Sequence, residues 1–287
     1  MKELTGIIGC GRAGTHLAFH LQKVGWPLCG LWDKGEQSAR DLCSLTGLPL
    51  LPPEALGKEA DILVLALPDD LIAPTCTDLA ARGVFRPGHT VFHLSGSQPA
   101  SLLQTAADAG AVIASLHPLQ SFSGTLNPNQ PFKGILMAVE GMPEAVTLGL
   151  RMADRLGARG ISIAAESKVL YHAAAVVASN YLVTLMDFAF DLLAASGIEG
   201  ENAMAFLSPL VSGTLANLHA LPPESALTGP LVRGDSATLA RHLEAISTER
   251  PGRAALYREL GRATLELAVR GNHLTPDSME KIRGLLA

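Results

Sequence analysis

The chain has 287 residues, enough for one large or two modest domains with full apolar cores, and only 17% of them are charged. A formal net charge of −5, an aromatic content of 5% and the absence of any basic run argue against nucleic acid as a partner and against a disordered or fibrous chain. Four scattered cysteines (Cys10, Cys29, Cys43 and Cys76) lack CxxC spacing and read as reduced thiols of a cytoplasmic protein.

The run MKELTGIIGCGRAG leads directly into predicted structure, so no signal peptide is expected. LTGIIG reads as a strand, followed by a glycine turn and a helix with Leu17, Leu21 and Val24 at helical spacing. PLCGLWD is a second strand ending at Asp33, and EQSARDLCSL a helix. ADILVLALPD is a continuous apolar run of the kind buried on both faces of a parallel sheet. HTVFHLSGS, AVIASLHP, GILMAVEG and ARGISIA add four strands, with PASLLQTAADAG and PEAVTLGLRMADRLG as intervening helices. This alternation predicts an α/β, Rossmann-type, mainly parallel doubly wound sheet over residues 1–165. Residues 166–287 read as an all-helical second domain for substrate binding or dimerisation. Its breaks fall near Gly197–Gly200, across ALPPESALTGPLVRGD, at Pro251–Gly252 and near Gly271–Pro276.

One stretch, Ala173 to Ala195, is long and apolar enough to raise a membrane span. Asn180, Asp187 and Asp191 argue for a buried helix of a soluble protein instead. At about 100° per residue, Lys168, His172, Ser179, Asn180, Asp187 and Asp191 share an arc of roughly 140°, which suits a cleft wall or a solvated stripe. Apolar excess over the rest of the helical half predicts a homodimer.

Gly9, Gly11 and Gly14 form G-x-G-x-x-G between a strand and a helix, inside a βαβ unit whose second strand ends in Asp33. In that context Gly9 serves the tight turn, Gly11 the approach of a pyrophosphate, and Gly14 helix–strand packing. Arg12 and Ala13 open the helix. Asp33 sits where an acid accepts from the adenosine ribose and favours NAD, whereas Lys34, Arg12 and Arg40 blunt that preference, so the cofactor is NAD or NADP. Ligands of an open parallel sheet bind beyond the carboxyl ends of its strands. Leu67, Pro68 and Asp69 in LALPDD, Ser95, Gly96 and Ser97 in HLSGS, and His117 in SLHPLQ all belong there.

The succession GCGRAG, Asp33, LALPDD, HLSGS, SLHPLQSF, ESKVLYHAAAVVASNYLV and LTGPLVRGD resembles, over nearly the whole chain, a family of Rossmann-like proteins with a C-terminal domain of unknown function. Its members are commonly assigned as NADP oxidoreductases of the F420-dependent-reductase type. More remotely, the layout is similar to β-hydroxyacid dehydrogenases, ketopantoate reductase, pyrroline-5-carboxylate reductase and prephenate dehydrogenase. The resemblance implies a Rossmann domain followed by a helical domain that often dimerises. Ser95 and His117 resemble the serine and His-Pro histidine of prephenate dehydrogenases, where the histidine engages the substrate hydroxyl. Leu119-Gln120-Ser121 departs from that pattern. Lys168 resembles the lysine of β-hydroxyacid dehydrogenases, but His172 stands where those enzymes carry asparagine, and the first asparagine is Asn180.

Candidate catalytic residues are therefore His117, Lys168, His172 and Ser95, with the choice of acid open; His117 also reads as a loop residue fixing the turn before Pro118. Gln120, Asn180 and Arg233 are candidate substrate ligands, Arg233 for a carboxylate. The plainer reading of LTGPLVRGD is that Asp235 or Ser236 caps the next helix. No metal site is expected. Three functions follow. The leading one is hydride transfer between NAD(P) and a small, anionic metabolite. The others are a non-catalytic dinucleotide sensor and an F420-dependent NADP reductase.

Overall fold

The computed structural model describes residues 3–129, 131–198 and 202–287. The chain divides into two compact units, residues 1–180 and 181–287. Strands end before residue 165, whereas the packing boundary falls after the next helix.

In the first unit seven strands form one sheet: β1 (Thr5–Ile8), β2 (Leu28–Trp32), β3 (Ile62–Leu65), β4 (Thr90–His93), β5 (Val112–Pro118), β6 (Leu136–Gly141) and β7 (Arg159–Ser162). They are ordered β2-β1-β3-β4-β5-β6-β7. All neighbours are parallel except β5 and β6, which pair antiparallel with His117 opposite Ala138. The reversal arises because a long loop, and no crossover helix, joins β5 to β6. The helices are α1 (Arg12–Lys23), α2 (Glu36–Thr46), α3 (Pro53–Glu59), α4 (Asp69–Ala81), α5 (Gln104–Asp108), α6 (Pro143–Arg155) and α7 (Lys168–Ala178).

Period-two alternation sends successive strand residues to opposite faces. Ile7, Ile62, Val64 and Phe92 join one core cluster, and Ile8, Leu63, Leu65 and Val91 the other. With both faces covered, the strands need unbroken apolar runs, which is what ILVL of β3 supplies. Each large side chain buried here, such as Phe92 or Phe132, contributes roughly 2–3 kcal/mol.

The second unit is helical: α8 (Asn180–Ala195), α9 (Asn202–Ala220), the short α10 (Pro223–Ala226), α11 (Ser236–Glu249), α12 (Ala254–Arg270) and α13 (Pro276–Leu286). Its core, around Leu239, Leu243, Leu265, Ala268, Ile282 and Leu286, is built mainly by α11 to α13. Asp235 caps α11 by accepting from the Thr238 N–H, as expected. The breaks at residues 221–235, 251–253 and 271–275 are present. Residues 199 and 200 of the remaining one lie outside the described residues.

Two expectations for the long helix need correction. It does not run unbroken: Ser179, at φ −116° and ψ −68°, separates α7 from α8. Nor is it buried. Val169, Leu170, Val177, Tyr181 and Val183 are each more than half exposed, and by length and apolar content alone Ala165–Ala195 would be able to cross a membrane. Within the second unit Asp191 binds Arg250 and Arg253, and Asp187 binds Arg253.

Candidate functional site

The chain reverses its sheet order at β1, which has β2 on one side and β3 on the other, and the crevice beyond their carboxyl ends is the expected ligand position. The glycine turn fills it. Gly9 has φ +106°, and a Cβ there would lie 2.3 Å from the Ala66 carbonyl oxygen. A Cβ on Gly14 would lie 2.0 Å from the Gly9 carbonyl oxygen, so α1 and β1 pack only through a glycine. Gly11 is the opposite case, because a Cβ there meets nothing within 4 Å. The first turn of α1 has neither a side-chain cap nor an acidic residue, which leaves its N–H groups and positive end directed outward. A cavity of about 470 Å³ adjoins them, lined by Gly11, Arg12, Thr15, Ser38, Asp41 and Leu126 among others.

Asp33 reaches back to this turn. One carboxylate oxygen accepts from the Cys10 N–H at 2.5 Å and the other from the Gly35 N–H at 2.6 Å. Arg12 and Lys34 are exposed nearby in sequence, Ala13 is half-buried, and Leu67 and Pro68 follow β3 directly. Burial, with Asp33 second, pushes the Cys10 thiol up to about 12, so it stays protonated.

Beyond β4, the HLSGS loop is held from three sides. Asp69, at the start of α4, accepts from the hydroxyls of Ser95 (2.8 Å) and Ser97 (2.9 Å). His93 accepts from the Ser95 N–H at Nδ1 and donates from Nε2 to the Pro99 carbonyl, which fixes it as a neutral tautomer. Burial keeps it neutral down to about 4. From below, the fully buried Lys168 donates to the Ser95 carbonyl at 3.3 Å and to the Ser115 hydroxyl. Burial pushes this ammonium down, against the pull of Glu140 and Asp69. Ser95 itself is buried, and its hydroxyl also accepts from the Gln98 N–H.

His117 and α7 wall a second cavity, of about 740 Å³. His117, Tyr171, His172, Gln120, Ser179 and Asn180 line it beside Leu119, Leu136 and the alanines of α7. His117 Nδ1 and the Tyr171 hydroxyl share a 3.1 Å hydrogen bond, and the His172 ring stands 5.8 Å away, nearly perpendicular to His117. A Cβ on Gly96 would lie 2.7 Å from His117 Nε2 and from His172 Nδ1, so only glycine fits against both rings. His172 Nδ1 is buried with no partner among the described residues. Burial first, then the charges of His172 and Lys168, hold His117 neutral down to about 4, and burial pushes the Tyr171 hydroxyl up to about 12. Gln120 donates to the Pro131 carbonyl. Arg233 belongs to the second unit, where it is exposed near Asp235.

The loop after His117 is strapped to α1 by two histidines one helical turn apart. His16 accepts from the Asn127 N–H while donating to the Arg12 carbonyl, and His20 donates to the Asn127 carbonyl. Phe122 packs 4.9 Å from His16 and 5.4 Å from Phe132. Asp69 lies at the strand end where the sequence placed it, whereas this strap and Tyr171 were not anticipated. Only Tyr171 carried a usable signal, one residue before His172 on the same helix.

Residues 2–118 match a Rossmann-like domain model, and residues 135–264 match the model of a domain of unknown function, DUF2520. The chain pairs a Rossmann-like domain with a DUF2520 domain. The DUF2520 match begins at β6, so this region contributes the last two strands of the sheet as well as α6 to α11 and the first part of α12. No curated protein matches the chain by sequence. Among solved structures, a provisionally assigned NADP oxidoreductase of Bacteroides fragilis is 23% identical, with a TM-score of 0.77 over 91% of this chain and 97% of its own. A Thermotoga maritima protein is 22% identical, with a TM-score of 0.71 over 93% and 99%. A reductive aminase of Aspergillus terreus, in complex with NADPH and ethyl levulinate, is 18% identical, with a TM-score of 0.64 over 100% and 93%. At these identities the likeness establishes the shared fold.

Proposed function

We propose that the protein is an NAD(P)-dependent oxidoreductase that transfers hydride to or from a C–O or C–N carbon of a small metabolite. The observation that carries this reading is the contrast among the three glycines. Gly9 and Gly14 are closed by backbone, while Gly11 opens onto free space at an uncapped helix N-terminus with Asp33 alongside. These residues fit a dinucleotide. Gly9, Gly11, Arg12, Ala13 and Gly14 would receive its pyrophosphate, Asp33 and Lys34 its adenosine ribose, and Leu67, Pro68, Ser95 and Gly96 the nicotinamide end. Bound there, the nicotinamide supplies the hydride, and the chain supplies orientation and a proton. The solved relatives, described as an NADP oxidoreductase and an NADPH-bound reductive aminase, agree with this reading.

His117 and His172 face the proposed substrate cavity. Ser95 and Lys168 hold the loop beneath it, with Gln120 and Asn180 on its wall as substrate ligands. Exposed apolar side chains on α7 to α9, among them Leu170, Val183, Phe206 and Leu210, support a soluble homodimer that covers them with a second copy. Free thiols at all four cysteines suit a reducing cytoplasm.

The test is titration with NADPH and NADH of the wild type and of Gly11→Val. The variant has room for its side chain in the free protein and keeps the fold, but it obstructs the pyrophosphate. Saturable binding by the wild type and its loss in Gly11→Val support the reading, and equal binding by both contradicts it.

A further inference from the structure

We propose that Tyr171 is the proton donor of this reaction, its hydroxyl protonating the heteroatom of a polarised C=O or C=N bond in the cavity while His117 Nδ1–H holds the phenol oxygen. The inference rests on the oxidoreductase reading above.

The other candidate acids fit the task poorly. Lys168 is fully buried, its ammonium is committed to Ser95 and Ser115, and it does not line the cavity. His117 is neutral at physiological pH and carries no proton beyond the one its tautomer needs. His172 also lines the cavity, but its Nδ1 is turned to Gly96, buried and with no partner among the described residues. Tyr171 lines the cavity, and its hydroxyl proton is present throughout the physiological range.

One tautomer of the pair suits proton donation. When His117 Nδ1–H donates across the 3.1 Å contact, the phenol proton is left free for the cavity. As that proton leaves, the N–H···O contact becomes charge-assisted, so it strengthens where negative charge develops and not in the ground state. The O–H bond of Tyr171 breaks and an O–H or N–H bond forms on the substrate. Hydride from the reduced nicotinamide, which ends oxidised, adds to the adjacent carbon, and the tyrosinate regains a proton from water. Gly96 and the edge-on packing of Tyr171 against His117 keep the rings in register.

A second histidine–tyrosine pair, His242 and Tyr257 at 2.8 Å, lies exposed in the second unit and provides an internal control. Wild type, Tyr171→Phe and Tyr257→Phe are compared in two ways. The first is NADPH oxidation with a panel of ketones, aldehydes and cyclic imines. Tyr171→Phe is expected to lose roughly 10²–10⁴-fold in kcat with little change in KM, and Tyr257→Phe to match wild type. The second is ¹⁵N NMR of the His117 ring, which does not depend on the substrate. Protonated Nδ1 in the wild type and a mixed tautomer in Tyr171→Phe are expected. Turnover by Tyr171→Phe within about twofold of wild type, or a wild-type His117 fixed as Nε2–H, overturns the role of Tyr171 and leaves the oxidoreductase reading standing. Failure of the wild type to bind NADPH or NADH, or to turn over any panel member, overturns both.

Discussion

The two units solve the burial problem differently. In residues 1–180 the sheet is covered on both faces, and β1, β3 and β4 are buried along their whole length. In residues 181–287 a modest core under α11 to α13 coexists with α8 and α9, where Val183, Phe206 and Leu210 are each more than 60% exposed. A sheet with helices on both sides closes within one chain, whereas a few helices of high apolar content do not. The first unit therefore closes its own core apart from its α7 face, whereas the second leaves apolar side chains of α8 and α9 exposed, the face assigned to a second copy in the proposed homodimer.

The largest expected effect breaks the self-contained unit from inside. A Cβ at Gly14 collides with the Gly9 carbonyl, so Gly14→Val should cost about 3 kcal/mol or more. Both tryptophans, Trp26 and Trp32, lie in this unit, so urea unfolding followed by their fluorescence reads the loss directly. A shift under 1 kcal/mol would show that the turn can relax.

Acid should weaken the same unit. The folded pKa of His93, about 4, lies below the usual 6.5, so the unfolded chain binds more protons between those values. Stability is then fully present above about pH 6.5 and falls as pH drops toward 4, by roughly 3 kcal/mol for this fully buried residue. His117 has the same sign. Denaturation midpoints that do not change between pH 7.5 and 4.5 would contradict this.

On the other side of the comparison, Leu210→Glu puts a charge on an apolar face. It should weaken association by at least about tenfold with little loss of helix, as read by sedimentation and circular dichroism. An unchanged dimer, or a wild type that is already monomeric, would show that this face stays in water. The smallest effect belongs to Thr275, whose hydroxyl accepts from the Ser278 N–H at the start of α13. Thr275→Ala should cost about 1 kcal/mol in thermal unfolding.

What was legible in the sequence follows from how local each signal is. All seven strands were readable: the inner ones, such as β3, are uninterrupted apolar runs because both their faces are buried, and the edge strand β7, RGIS and largely unburied, stood out by its place after a helix in the strand–helix alternation. The glycine spacing was readable because each glycine answers a separate steric demand within six residues. Helices α3 and α4 went unread: α3 is short, and α4 carries Pro74 inside it. The break at Ser179 has no proline or glycine to announce it. The exposure of α7 to α9 was misread because apolar composition measures the need for burial and does not identify what provides it. At the site, His117 and His172 stood out as isolated histidines. Tyr171 and the His16–His20 strap depend on contacts 54 and more than 100 residues apart in sequence, which no local pattern encodes.

The central claim is that the open glycine turn is a dinucleotide site. Fluorescence titration of the folded protein with NADPH and with NADH tests it most directly. Saturable binding of at least one, abolished in Gly11→Val at unchanged unfolding midpoint, is the predicted result. No binding of either by well-folded wild-type protein would contradict it.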